Sequence, residues 1–230
     1  NRELRTASQR VSFVNQISHE LKTPLTNIQL YTEMARTRAQ NNQDTVADRQ
    51  LGVVETETAR LHRLIQNVLN YSRQQRHELT VNSKPLDLSP TVREIVDHWR
   101  PLLDKRGFHI ELDVPAELGV LADKDALIQI LGNLLSNVEK YASDGKYVRI
   151  AARADGRHPR VQLTVEDRGP GIPPNKTDAI FEPFERLRSD TREGVSGTGI
   201  GLTISRELAK QMGGSLSAQA QTTGARFILD

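Results

Sequence analysis

Five short stretches of this chain carry side chains whose types and spacing could do chemistry. The first is FVNQISHELKTPL, residues 13–25, centred on His19. A neutral imidazole is a competent nucleophile near neutral pH, because one ring nitrogen keeps a free lone pair. The carboxylate of Glu20 could hold the proton of the other nitrogen and orient the ring. Neighbouring helix residues do not face each other, so spacing alone guarantees no His19–Glu20 bond. Val14, Leu21, Leu25 and Ile28 recur at helical spacing as a buried stripe, and His19 and Glu20 fall beside it, within reach of solvent. Taken alone, such a pair is more often just a solvated helix surface. Pro24 removes a backbone donor and is expected to bend the helix one turn after His19.

The second stretch, QILGNLLSNVEKYA, places Asn133, Asn137, Lys140 and Tyr141 three or four residues apart, on one helical face, with Leu131, Leu134 and Val138 on the other. Two carboxamides and a lysine there can serve as magnesium ligand, phosphate donor and charge partner, or simply form the wet side of an amphipathic helix. In the third, VEDRGPGIPP, a strand-like run ends at Asp167. A carboxylate there can accept from the exocyclic amino group of adenine, where guanine presents an acceptor and is repelled. Gly169 and Gly171 let the backbone approach a planar base, although D-x-G-x-G also makes an ordinary turn. The fourth, IFEPFERLR, offers Phe181 and Phe184 for packing and Arg186 and Arg188 for bidentate phosphate contact. The polar LRSDTREGVS that follows has the composition of a lid. In the fifth, SGTGIGLTISRELAKQMGG, glycines 197, 199 and 201 open a helical pattern whose N-terminal N–H groups could bind phosphate. It neither follows a strand within a βαβ unit nor has an acidic residue at the Rossmann distance, and there is no G-x-x-x-x-G-K-[ST] P-loop.

Positioning these groups requires two kinds of scaffold. Residues 1–80 read as two long helices separated by the polar AQNNQDT at 39–45. A lone pair of helices with one apolar stripe each buries little, so two hairpins paired as a dimeric four-helix bundle are expected. Residues 81–85 read as a linker, and Ser89 followed by Pro90 as a helix start. Beyond it, helical patterns near 90–104, 123–142 and 200–213 alternate with strand-like FHIELDV, KYVRIAARA, RVQLTVED, GSLSAQAQ and ARFILD. Together these predict an α+β chain whose second domain, 86–230, is a two-layer α/β sandwich.

Composition narrows the classes. The 230 residues hold 31 basic and 29 acidic side chains, a net charge of +2 that gives no electrostatic case for nucleic acid or an anionic membrane surface. There is no cysteine, which excludes disulfides and thiolate metal sites. No run of about 18 apolar residues occurs, so no membrane contact is expected from this segment. The sequence begins at Asn1 in a helical pattern and reads as a piece of something longer.

The five stretches, in this order, resemble the two-component sensor histidine kinases: ISHELKTPL the H box, GNLLSNVEKYA the N box, EDRGPGIP the G1 box, FEPF the F box and GTGIGL the G2 box. The resemblance implies that residues 1–80 are a dimerisation and histidine-phosphotransfer hairpin. It makes 86–230 an ATP-binding domain of the kind shared with type II topoisomerases and Hsp90. His19 would take the γ-phosphoryl group with Glu20 as base, and Thr23 would orient water for dephosphorylating the partner regulator. Asn133 would hold Mg²⁺, with Asn137, Lys140 and Tyr141 near the nucleotide. Asp167 would read adenine beside Gly169 and Gly171, Arg186 would reach the γ-phosphate, and the GTGIGL backbone (Gly197, Thr198, Gly199, Gly201, Leu202) would cradle the phosphates. The implied partners are a second copy of the chain and a response regulator receiver domain. The implied setting is the cytoplasmic portion of a membrane-anchored protein. Val138 stands where that family usually has Ala, and Arg168 where it often has Asn.

Two other classes compete. A non-catalytic ATP-sensing dimerisation module would need Asp167 and the glycines but not His19, Glu20 and Thr23. A conformational ATPase would need a catalytic Glu early in the N-box helix, where this chain has Ile128, Gln129 and Ile130.

Overall fold

The computed structural model describes residues 21–22, 24–35, 50–54, 57–58, 61, 65, 68–69, 72, 80–154, 160–185 and 199–230. The described residues fall into two compact units, one up to Ser72 and one from 80 onward.

The N-terminal unit is helical at all its described positions. Its two helical runs are tied by Asn27, whose Nδ2 donates to Glu57 Oε1 at 3.3 Å. Thr26, Thr32 and Thr58 satisfy their hydroxyls within the helix, each donating to the carbonyl four residues back at 2.6–2.8 Å. Pro24 and Ala35 are buried. Leu25, expected in the buried stripe, is instead 48% exposed in the single chain, and Leu30, Leu51, Ile65 and Leu69 are comparably open. One hairpin lacks enough opposing surface to cover them.

The C-terminal unit runs β1 (Lys84–Asp87), α1 (Leu88–Lys105), β2 (His109–Asp113), β3 (Gly119–Ala122), α2 (Lys124–Tyr141), β4 (Tyr147–Ala154), β5 (Val161–Asp167), two 3₁₀ turns at Pro174–Lys176 and Ala179–Phe181, α3 (Gly201–Gln211), β6 (Leu216–Ala220) and β7 (Ala225–Leu229). Five strands form a mixed sheet in the order β2-β4-β5-β7-β6, parallel only at β2–β4. Alternation places Val148, Ile150, Ala152, Leu163, Val165, Leu216, Phe227 and Leu229 on one face, each at most 7% exposed. The register aligns Arg149, Glu166 and Arg226 on the other, with Glu111 opposite Arg149. Arg149–Glu111 (3.1 Å) and Arg226–Glu166 (2.8 Å) pair there. One apolar face and one charged face make a two-layer sandwich with the helices on the apolar side.

Helix α1 buries Val92, Ile95, Val96, Trp99 and Leu103, a single stripe at helical spacing. It begins two residues before the expected Ser-Pro start: Asp87 is the N-cap and accepts from Ser89 N at 3.1 Å, leaving Pro90 in the first turn. The last two residues of the expected linker, Lys84 and Pro85, open β1, which pairs antiparallel with β3 in a separate two-stranded sheet. Neither strand carries the alternating apolar run that marks strands by pattern. Helix α2 is capped by Asp123, which accepts from Asp125 N and Ala126 N and also from Asn82 N. Burial pushes the Asp123 carboxyl up, but these three backbone donors outweigh it and hold it below the ordinary value.

Candidate nucleotide-binding site

Helix α2 turns Leu131, Leu134, Leu135 and Val138 into the core, each at most 2% exposed. That leaves Asn133, Asn137, Lys140 and Tyr141 half-buried on the other side. Val138 takes the additional volume over Ala within the core, at 1% exposure.

Asn133 is fixed by its amide. Nδ2 donates to Gly201 O and to Ser205 Oγ, both at 3.0 Å, and Ser205 Oγ donates to Gly201 O at 2.9 Å. This triangle joins the middle of α2 to the first turn of α3, 68 residues on. It spends both donors of the carboxamide on the protein side and leaves Oδ1 as an acceptor. A Cβ at Gly201 would stand 3.4 Å from Asn133 Oδ1, so a glycine keeps the helix start close to that oxygen. Ile200, the N-cap of α3, makes no side-chain cap bond, and the helix start carries the N–H groups of Gly201 and Leu202 that no residue within the helix can accept from.

Asp167 ends β5. Its Oδ1 accepts from Gly169 N at 2.7 Å and from Ala225 N at 3.3 Å, so one oxygen is held by two backbone groups. Burial pushes the Asp167 carboxyl above its ordinary value, opposed by those two donors. Gly169 packs on the end of α2: a Cβ there would stand 3.0 Å from both Asp167 Oδ1 and Tyr141 O. Gly171, at φ +78°, would bring a Cβ to 2.8 Å from Gly224 O. Only glycine fits that combination of backbone angle and contact.

The aromatic pair separates into two roles. Phe181 is buried, and its carbonyl accepts from Thr203 Oγ1 of α3 at 2.8 Å. Phe184 is half-buried at φ +68°, and its N–H donates to Gly199 O at 2.9 Å. Gly199 shares the left-handed conformation and packs directly on the Phe184 backbone. Residues 184 and 199 are therefore joined backbone to backbone, although fourteen positions separate them in the chain.

The structure thus brings together Asn133 with Gly201, Tyr141 with Asp167 and Gly169, and Phe184 with Gly199. His19, Glu20, Thr23, Arg186, Gly197 and Thr198 lie outside the described residues, as does the 39–45 turn. Among the described residues no group of three or more His, Cys, Asp or Glu side chains could hold a metal, and no helix is long and apolar enough to cross a membrane.

The same two-part organisation appears in comparison with known proteins. Residues 9–77 match the His Kinase A (phospho-acceptor) domain family. Residues 122–230 match the family described as histidine kinase-, DNA gyrase B- and HSP90-like ATPase. The chain belongs to the sensor histidine kinases. It is 30% identical over 212 residues to sensor histidine kinase WalK of Bacillus subtilis, covering 92% of this chain and 34% of WalK. It thus spans about a third of that relative's length. Full-length ShkA, solved in complex with AMPPNP, is 28% identical with a TM-score of 0.63, over 93% of this chain and 44% of ShkA. The Acinetobacter baumannii kinase AdeS, 23% identical, shares the fold over 91% of this chain and 95% of its own, with a TM-score of 0.63.

Two residues of this site escape a motif reading. Ser205 is fully buried and completes the Asn133–Gly201 triangle. Its only sequence signal is a small polar residue one turn after Gly201 on the apolar side of α3. Thr203 latches the F-box carbonyl, yet a threonine in a helical run carries no mark of that role.

Proposed function

We propose that this chain is the catalytic core of an ATP-dependent protein histidine kinase. It phosphorylates its own His19 and passes the group to an aspartate of a response regulator receiver domain. The observation that carries the reading is the Asn133–Gly201–Ser205 triangle, which sets a carboxamide oxygen beside an uncapped helix N-terminus within one domain. A free acceptor and a row of backbone donors are what a metal-bound triphosphate needs. Residues 1–80 act as the histidine-bearing hairpin, 81–85 as the connection and 86–230 as the nucleotide-binding domain.

ATP is the donor substrate. Asp167 accepts from the adenine amino group with the oxygen left over from its two backbone bonds, and Gly169 and Gly171 admit the base beside the chain. The N–H groups of Gly199, Gly201 and Leu202 and the Lys140 side chain meet the phosphates, with Gly197, Thr198, Asn137 and Tyr141 completing the cradle. The residues fit Mg²⁺: Asn133 Oδ1 is a hard oxygen ligand, and a magnesium ion takes most of its remaining ligands from phosphate and water. When bound there, Mg²⁺ would neutralise charge on the phosphates. Arg186 supplies a further positive charge at the γ-phosphate.

In the transfer step a ring nitrogen of His19 attacks the γ-phosphorus in line. The bond to the β–γ bridging oxygen breaks and ADP leaves, while Glu20 receives the imidazole proton. The attacking nitrogen must come within about 3–3.5 Å of phosphorus. In the second step a receiver aspartate oxygen attacks the same phosphorus and the P–N bond breaks. Thr23 orients water for the reverse function, hydrolysis of the regulator's acyl phosphate. The open Leu25, Leu30, Leu51, Ile65 and Leu69 support a homodimeric bundle, in which a second hairpin covers them. Attachment of a longer protein to the membrane is part of the same reading.

Incubation with γ-labelled ATP and magnesium tests it. Wild type is expected to acquire an acid-labile label that His19→Gln lacks, and a receiver domain is expected to remove it. An unlabelled wild type, or equal labelling of His19→Gln, overturns the proposal.

A further inference from the structure

Arg168 follows the adenine-facing Asp167, and its surroundings are unusually crowded by backbone. A Cβ at Gly145 would collide with Arg168 O, and one at Gly224 would collide with Asp167 O and stand 2.8 Å from Arg168 Cα. Two glycine backbones thus press on residues 167–168, one from the loop that leaves α2 and one from the β6–β7 turn. The side chain of Arg168 leaves this crossing outward. Its guanidinium carbon lies 4.0 Å from the centroid of the Tyr147 ring. Tyr147 is itself anchored: its hydroxyl donates to Glu111 Oε2 at 2.6 Å, and its ring stacks on His109 at 5.9 Å between centroids. Glu111 is paired in turn with Arg149. The chain of contacts Arg168–Tyr147–Glu111 therefore fastens the loop after β5 to the first residue of β4 and to edge strand β2.

That anchorage matters for the site because the same loop carries Asp167 and Gly169. Gly169 sits against Tyr141 O and Ala142, the end of the helix that presents Asn133, Asn137 and Lys140. The spacing between the adenine carboxylate and the phosphate-facing helix is set where residues 141–147 and 167–169 cross. The Arg168–Tyr147 stack spans that crossing through side chains.

We propose that Arg168 is a positioning residue for nucleotide binding: stacked on Tyr147, it holds the Asp167–Gly169 loop in register with the end of α2. It touches no substrate atom. A guanidinium occupied by an aromatic face at 4.0 Å is directed at the ring rather than at phosphate. The inference rests on the nucleotide site proposed above and concerns how tightly that site binds.

The test is binding to the whole chain. Dissociation constants for adenosine, ADP and AMPPNP would be measured for wild type, Arg168→Ala, Arg168→Lys, Tyr147→Leu and the Arg168→Ala/Tyr147→Leu double variant. Loss of an exposed cation–π contact is expected to weaken all three ligands by the same factor, about 2- to 5-fold. Arg168→Lys should recover most of the loss, and the double variant should be no weaker than the worse single variant. The rate of His19 labelling at saturating ATP should stay within about twofold, so that the effect falls on KM. Wild-type affinity in Arg168→Ala overturns the proposal, as does additivity in the double variant. A loss confined to ADP and AMPPNP also overturns it and would mean that Arg168 contacts phosphate. Failure of wild type to bind any of the three ligands would instead remove the nucleotide site itself.

Discussion

Replacing Asp167 by Asn separates two quantities that usually move together. Asn is isosteric, and its carbonyl oxygen can keep accepting from Gly169 N and Ala225 N, now as neutral bonds. In the proposed adenine contact the other carboxylate oxygen becomes an amide donor against the amino group, donor against donor. A hydrogen bond to a charged group contributes about 1.5–3 kcal/mol, so ATP affinity should fall by about 10- to 150-fold. The penalty against guanine should shrink, because its carbonyl now meets a donor. Stability should not follow. Burial raises the Asp167 carboxyl, so the charged form is disfavoured in the folded state, and Asn removes that cost. Thermal unfolding of the free protein should leave Tm unchanged or higher while calorimetric titration shows the affinity loss. The pH dependence has the same origin and runs in opposite directions. With a folded pKa above the unfolded value, the native state binds the extra proton first as pH falls. The destabilising contribution present above the folded pKa is therefore relieved on acidification. Adenine binding needs the carboxylate and is lost over that same interval, beginning at higher pH than an ordinary aspartate would give. Asp167→Asn should lack both trends. Wild-type affinity in Asp167→Asn, or a Tm lowered by several degrees, would refute this account of the residue.

Glycine positions give a test of opposite signs within one domain. Gly132 lies inside α2, and an alanine methyl there would meet no neighbouring group within 4 Å, so Gly132→Ala should stabilise by about 0.5–1 kcal/mol in urea unfolding. Gly224→Ala meets the backbone oxygen of Asp167 at φ +79° and should destabilise by about 1–3 kcal/mol or more, with weaker nucleotide binding because Ala225 N moves away from Asp167. Ser205→Ala removes both bonds of a fully buried hydroxyl and should cost about 1–2 kcal/mol of stability. It should also raise the Kd for magnesium-AMPPNP more than that for adenosine, since the loss loosens Asn133 and the α3 start.

The motifs read in the sequence describe this domain where chemistry depends on local order. Helix α2 buries the face that spacing assigned to the core, and β5 ends at Asp167 as the D-x-G-x-G pattern requires. The five strand-like runs correspond to β2, β4, β5, β6 and β7. What local pattern missed depended on distant partners. Strand β1 exists because β3, more than thirty residues on, pairs with it, and Asp87 starts α1 by capping a helix whose Ser-Pro pair pointed two residues later. Ser205 and Arg168 acquire meaning only from Asn133 and Tyr147, which no spacing rule connects to them. Leu25 and its neighbours mark the opposite case: the periodicity is helical, but a single hairpin does not bury them.

The sheet order has a consequence for how the domain is made. Strand β7 follows all other described strands in sequence, yet it lies between β5 and β6. Until it inserts, β6 has no partner in the sheet, and the inner edge of β5 presents unpaired backbone to any other chain. Ala225, its first residue, also supplies one of the two N–H groups on Asp167. A ribosome-bound chain that has not yet released residues 225–229 therefore holds neither a closed sheet nor an Asp167 carboxylate with both its backbone donors. The sheet should therefore close in one step once residues 225–229 are available, and a truncation just before Ala225 should leave a protein that aggregates through β5.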